Sequence, residues 1–154
     1  MLRPPAEAAG RRLYMAQHPL FDYVPALEDD VRQPEYIRVA GKSRADLTNV
    51  WMGTAGSGSN LHFDSADNLL VQIVGEKRVV LVAPHFSKCL YPREERPNVS
   101  PVRVDAPDLH AFPLFRNVHA QVLHLRPGDA LYIPPAHWHW VQSITASISV
   151  NFWF

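Results

Sequence analysis

The sequence predicts an all-β domain, and three observations carry that reading. Short runs rich in Val, Ile, Leu, Tyr and Trp recur along the chain, bounded by Gly, Pro, Asn and Asp. Proline is frequent, at 14 of 154 residues, and falls between these runs. The run Leu69–Val74 is mostly apolar, as expected of a strand covered on both faces. A chain of this length suffices for one domain with one core. A loose, polar lead-in is expected over residues 1–12, and the domain itself over 13–154.

Taken in order, Leu13–Gln17 fits a strand or one helical turn, and His18-Pro19 breaks it, because a residue before proline avoids the helical region. Pro25–Val31 is expected to form a short helix exposing Glu28, Asp29 and Asp30, with Pro34 as its stop. Tyr36–Val39 is a short strand candidate, followed by a loop at Gly41–Arg44. Eight further strands are expected at Asn49–Met52, Asn60–Asp64, Asn68–Val74, Lys77–Val82, Gln121–Leu125, Ala130–Ile133, His139–Ser143 and Ser147–Trp153. Gly75-Glu76 reads as a tight hairpin between the third and fourth. Arg126-Pro127-Gly128-Asp129 is a turn between the fifth and sixth. The long insert over residues 84–119 is expected to carry structure of its own and to cover one mouth. Eight short strands with this turn chemistry fit a jelly roll of the cupin type, a double-stranded β-helix.

The chemistry concentrates in Gly58-Ser59-Asn60-Leu61-His62-Phe63-Asp64. Side chains two apart on a strand share a face, so His62 and Asp64 would converge on one point inside the barrel. One further imidazole would complete a 2-His-1-carboxylate triad, the donor set of non-haem Fe(II) oxygenases. His139 is the candidate partner, at the start of the seventh strand. His137 has the same parity, and spacing alone leaves the two open.

Charge and cysteine content narrow the class. Lys+Arg and Asp+Glu balance at 15 each, which leaves no basic footprint for a nucleic acid. Cys89 is the single cysteine, so an internal disulfide is ruled out; a reducing location, cytoplasmic or nuclear, is expected. The first residues lack the apolar stretch of a secretory signal, and no run reaches membrane-spanning length.

The motifs Leu61-His62-Phe63-Asp64, Asn68-Leu69-Leu70-Val71-Gln72, Gly75-Glu76-Lys77-Arg78, Leu90-Tyr91-Pro92, Pro127-Gly128-Asp129, Ile133-Pro134, Trp138-His139 and Val150-Asn151-Phe152-Trp153 occur in an order that resembles the JmjC-domain 2-oxoglutarate oxygenases. The resemblance covers nearly all of residues 13–154. It is strongest to the small hydroxylase group: the factor-inhibiting-HIF-like asparaginyl hydroxylases, the tRNA wybutosine hydroxylase and the JmjC-domain-containing protein 5 group, the last most similar over Leu13–Asp22.

The resemblance implies that His62, Asp64 and His139 hold Fe(II), its Trp-His step favouring His139 over His137. It implies that Lys77 pairs with the distal carboxylate of 2-oxoglutarate. Tyr14, Ser59 and Asn68 would hydrogen-bond this cosubstrate, Asn151 would sit near its chelating end, and Trp51 would line the substrate side. The implied activity is dioxygen-dependent hydroxylation of a protein or peptide side chain, with 2-oxoglutarate converted to succinate. Histone lysine demethylation and tRNA-base hydroxylation are the alternatives within the family. A cupin using another metal without 2-oxoglutarate, and a non-catalytic binding module, are the alternatives outside it. The chain departs from the family in beginning later and in ending at Phe154 without the helices through which some members dimerise, which leaves the oligomeric state open.

Overall fold

The computed structural model describes residues 12–31, 34, 35, 37 and 48–154. Among these are eight strands: β1 (Tyr14–His18), β2 (Thr48–Gly53), β3 (Asn68–Val74), β4 (Lys77–Val82), β5 (Ala120–Leu125), β6 (Ala130–Ile133), β7 (Trp138–Ser143) and β8 (Ser147–Trp153). They form a five-stranded sheet in the order β1-β2-β8-β3-β6 and a three-stranded sheet in the order β5-β4-β7, with every pairing antiparallel. The mostly-β, two-sheet jelly roll expected from the sequence is therefore present. Leu13–Gln17 resolves as strand rather than helical turn, and α1 (Leu20–Tyr23) and a 3-10 helix at Pro25–Asp30 follow it.

Strand alternation sorts the apolar residues into three layers. Leu70, Val79, Leu81, Leu125 and Ile133 form one cluster, to which the two sheets both contribute. Val50, Leu69, Val150 and Phe152 form a second on the five-stranded sheet, packed against Met15, Leu20 and Phe21 of the N-terminal segment. Val80, Val82, Trp138 and Trp140 point to the opposite side of the small sheet, where Leu90, Val104, Phe115 and Val118 of the insert cover them. The insert packs chiefly on the back of the small sheet, because its apolar residues need that surface, and its 96–98 stretch reaches the mouth of the cavity beside His62 and Asp64. It carries the expected structure of its own, 3-10 helices at Pro84–Leu90 and Pro113–Asn117.

Four further expectations change. Asn60–Asp64 is not a regular strand: His62 makes isolated bridges to Val99 and His139, and Gly58 to Gln142. Gly75-Glu76 is not a hairpin, since β3 pairs with β6 and β8 while β4 pairs with β5 and β7; it carries the chain from one sheet to the other. β3 is covered through Gln72 and not to its end, as Ile73 and Val74 are exposed. Ile37 is helical and buried, and the rest of the expected 36–39 strand, like the 41–44 loop, lies outside the described residues.

The sheet-switching turn depends on its glycine. Gly75 has φ +70°, and a Cβ there would lie 2.1 Å from the Ala146 carbonyl oxygen, a backbone atom with little freedom to retreat. Gly75→Ala is therefore expected to destabilise the protein by about 2–3 kcal/mol, read as a lowered urea midpoint with an unchanged slope.

Candidate metal centre

The barrel brings His62, Asp64 and His139 together, with one ligand atom from each lying within 4.8 Å of the others. Two backbone bonds set the approach. His62 N–H donates to the His139 carbonyl at 3.0 Å, and His139 N–H donates to the His62 carbonyl at 2.7 Å. This reciprocal bridge puts the imidazoles on one side, with ring centroids 4.2 Å apart. Asp64 is held separately. Its carbonyl accepts from Ala136 N–H at 2.8 Å, and Ala136 takes φ +61°, a left-handed turn unusual for a residue with a side chain. Asp64 Oδ2 then lies 3.7 Å from His139 Nε2.

Both rings are oriented by carbonyls. His62 Nδ1 lies 2.8 Å from the Asn60 oxygen, and His139 Nδ1 lies 3.0 Å from the His137 oxygen. A carbonyl can only accept, so Nδ1 carries a proton in both rings, which leaves Nε2 as the nitrogen that can serve a metal. Burial pushes the His139 pKa down to about 4, reinforced by neighbouring His62, and the His137 carbonyl and Asp64 oppose it only in part. The ring is thus neutral at physiological pH. His137 does not join this group: it lines a separate cavity with His85, Phe86 and His119.

A cavity of about 220 Å³ opens beside the three side chains, and its walls include Tyr14, Trp51, Ser59, Asn68, Lys77 and Asn151. Apart from His137, every candidate residue named from the sequence therefore borders one space. Trp51 Nε1–H donates to Asn151 Oδ1 at 2.8 Å, and Asn151 Nδ2 donates to Asn68 Oδ1 at 3.4 Å, which ties three of them into one chain. Gly53 leaves room for the Tyr14 ring, since a Cβ there would meet it at 2.9 Å. Burial raises the Tyr14 pKa to about 12, so its hydroxyl stays protonated and able to donate.

Lys77 is the unusual member, only 2% exposed. Its ammonium donates to Ser149 Oγ at 2.5 Å, and among the described residues it has no carboxylate partner. Burial alone lowers its pKa to about 8. A buried cation without an anion is costly, and a bound carboxylate would relieve that cost. Ser59 Oγ is likewise buried without a partner. Two imidazoles, a carboxylate, a buried ammonium and an orphaned hydroxyl around one cavity fit a divalent metal with a dicarboxylate.

Sequence reasoning missed Ser149, Arg96 and Asn98. Arg96 and Asn98 line the cavity from the insert, where Phe63 N–H donates to the Asn98 carbonyl at 3.0 Å and Asn98 Nδ2 donates back to the Phe63 carbonyl at 3.2 Å. No local pattern marked them. Ser149 did have a signal: Ser147, Ser149 and Asn151 form a polar stripe at every second position of an otherwise apolar strand.

The description of the matching family model is "Cupin-like domain", and the match covers residues 3–154. Lysine-specific demethylase 8 of Danio rerio is 44% identical over 144 residues, 92% of this chain and 36% of that protein. Jumonji C domain-containing protein 5 of Drosophila melanogaster is 38% identical over 156 residues, 99% of this chain and 39% of that protein. The chain thus spans little more than a third of the length of these curated relatives. Among solved structures, the ribosomal oxygenase YcfD of Escherichia coli, in complex with cobalt and 2-oxoglutarate, matches at 19% identity and a TM-score of 0.46, covering 70% of this chain and 22% of that one. Because the family model accounts for almost the whole chain, this chain belongs to the cupin-like domain family.

Proposed function

We propose that this chain is the catalytic domain of an Fe(II)- and 2-oxoglutarate-dependent dioxygenase that hydroxylates a protein side chain. The observation that carries the proposal is the buried Lys77 ammonium in the same cavity as the His62, Asp64 and His139 donors. A cupin that needs no dicarboxylate has no use for such a cation.

His62, Asp64 and His139 would hold the iron on one face and leave the other face free for ligands. When bound, iron and 2-oxoglutarate supply dioxygen activation and hydrogen abstraction, and the cosubstrate leaves as succinate and carbon dioxide. Lys77 would pair with the distal carboxylate, and the Tyr14 hydroxyl would donate to it. Ser59 would find in the cosubstrate the partner its hydroxyl lacks among the described residues. The Trp51–Asn151–Asn68 chain would hold the wall between cosubstrate and substrate in one orientation. Arg96, exposed on the cavity rim, would meet the substrate first.

The test is succinate production with Fe(II) and a panel of peptides, followed by mass spectrometry. A stable gain of one oxygen atom supports hydroxylation. A second reading is favoured by the name of the Danio rerio relative, a lysine-specific demethylase: loss of a methyl group with formaldehyde release would establish it instead. Turnover on tRNA alone would overturn the protein substrate.

The same assay separates the two histidines that spacing left open. His137→Ala is expected to leave metal affinity and turnover within about twofold of wild type, because the ring borders another cavity and holds the site only through its backbone carbonyl. A loss matching that of a removed ligand would move the third donor to His137.

A further inference from the structure

Lys77 and Ser149 belong to different sheets and meet across the barrel interior. Ser149 is fully buried, flanked in register by Trp51 on β2 and Gln72 on β3. A serine is a poor filler for such a place, since its hydroxyl must be satisfied there. The serine two residues before it has a neutral partner, the Ser147 and Ser143 hydroxyls lying 2.8 Å apart. Ser149 has the ammonium instead, at 2.5 Å. Beside it, the Gln72 Oε1 atom is buried without a donor among the described residues.

The position of this contact along the barrel matters. On β7, His139 is paired with Leu81 of β4, while Lys77 is paired with Ser143, four residues further on. The ammonium therefore enters from the end opposite the metal donors. A lysine stem is flexible, and an unheld ammonium could settle at many depths. The Ser149 bond selects one. A ligand that meets the metal at one end and the ammonium at the other must then match a fixed separation.

We propose that Ser149 is a positioning residue that fixes the depth of the Lys77 ammonium and thereby sets the length of the dicarboxylate the site accepts. The inference rests on the oxygenase reading above and adds to it a determinant of cosubstrate length. The Ser149 hydroxyl touches the lysine and acts through it. Removing the hydroxyl frees the ammonium to follow carboxylates at other depths, at the expense of the one for which it was held.

The test is calorimetric titration of Mn(II)-loaded protein with oxaloacetate, 2-oxoglutarate and 2-oxoadipate, without turnover. Wild type is expected to prefer 2-oxoglutarate over both by about tenfold or more. Ser149→Ala is expected to weaken 2-oxoglutarate by about tenfold, the loss of one hydrogen bond to a charged group. Binding of 2-oxoadipate should change by less than about threefold, so the length preference collapses. Ser149→Thr keeps the hydroxyl on a residue suited to a strand and should restore the preference. Mn(II) affinity without a diacid should be the same in all three proteins. An unchanged affinity in Ser149→Ala, or an equal weakening of all three diacids, would make Ser149 a core residue only and overturn the proposal while the oxygenase reading stands. A Ser149→Thr protein that behaves as Ser149→Ala would overturn it in the same way. Wild type that binds Mn(II) but no diacid would overturn the oxygenase reading, and this inference with it.

Discussion

Asp64→Ala is expected to abolish Fe(II)-dependent turnover, by about a thousandfold or more, while the barrel stays folded. The loss follows from the donor set: two imidazoles remain, the negative charge that offsets a divalent cation is gone, and the coordinating face is incomplete. The retained fold follows from where Asp64 is tied. Its structural bond runs from Ala136 N–H to its carbonyl at 2.8 Å, which alanine keeps. Among the described residues, its carboxylate has only the 3.7 Å approach to His139. Urea unfolding of the metal-free variant should therefore lie within about 1 kcal/mol of wild type. Mn(II) titration and succinate release measure the rest. Full activity in Asp64→Ala would remove the carboxylate from the metal site altogether.

The strands at Lys77–Val82 and Ser147–Trp153, and most of Thr48–Gly53, were legible in the sequence as short runs rich in apolar residues between turn residues. Pairing was not legible at Gly75-Glu76. Turn residues say that the chain reverses, while the choice of sheet is made by distant partners such as Ser143 and Leu125 for Lys77. The convergence of His62, Asp64 and His139 was readable, yet the strand that was to place the first two is a bridged segment. Bridges to Val99 and His139 at His62, and the Ala136 contact at Asp64, supply the geometry that regular pleating was expected to give. The insert's main packing surface was not legible for a related reason. Its apolar residues are too sparse to show a period, and the surface they cover on Val80, Val82 and Trp140 exists only after the small sheet has formed.

Lys77→Met is expected to strip the protein of 2-oxoglutarate affinity and, in the same step, to stabilise its ligand-free form. Burial holds the Lys77 pKa at about 8 in the folded chain, against 10.5 for a free lysine. Between those values the unfolded chain binds the proton and the folded chain does not, so stability rises with pH across that window. Below pH 8 both forms are protonated, and the full cost of burying the ammonium is present. Above 10.5 the cost is gone. Methionine fills a similar volume without the charge, which recovers about 3 kcal/mol at pH 7. It also leaves the Ser149 hydroxyl without its partner, at a cost of about 1 kcal/mol. The net expectation is a ligand-free variant more stable than wild type by about 2 kcal/mol at pH 7, with the advantage shrinking as pH is raised from 8 toward 10.5. Binding moves the other way. Truncating one side of a buried charge pair costs about 2–5 kcal/mol, so 2-oxoglutarate affinity should fall at least about thirtyfold, with Mn(II) affinity unchanged. Urea midpoints at pH 7 and pH 10, with calorimetric titration of the cosubstrate, test both halves. A variant less stable than wild type at pH 7 would mean that Ser149 already satisfies the ammonium, and unchanged 2-oxoglutarate affinity would take Lys77 out of the binding site.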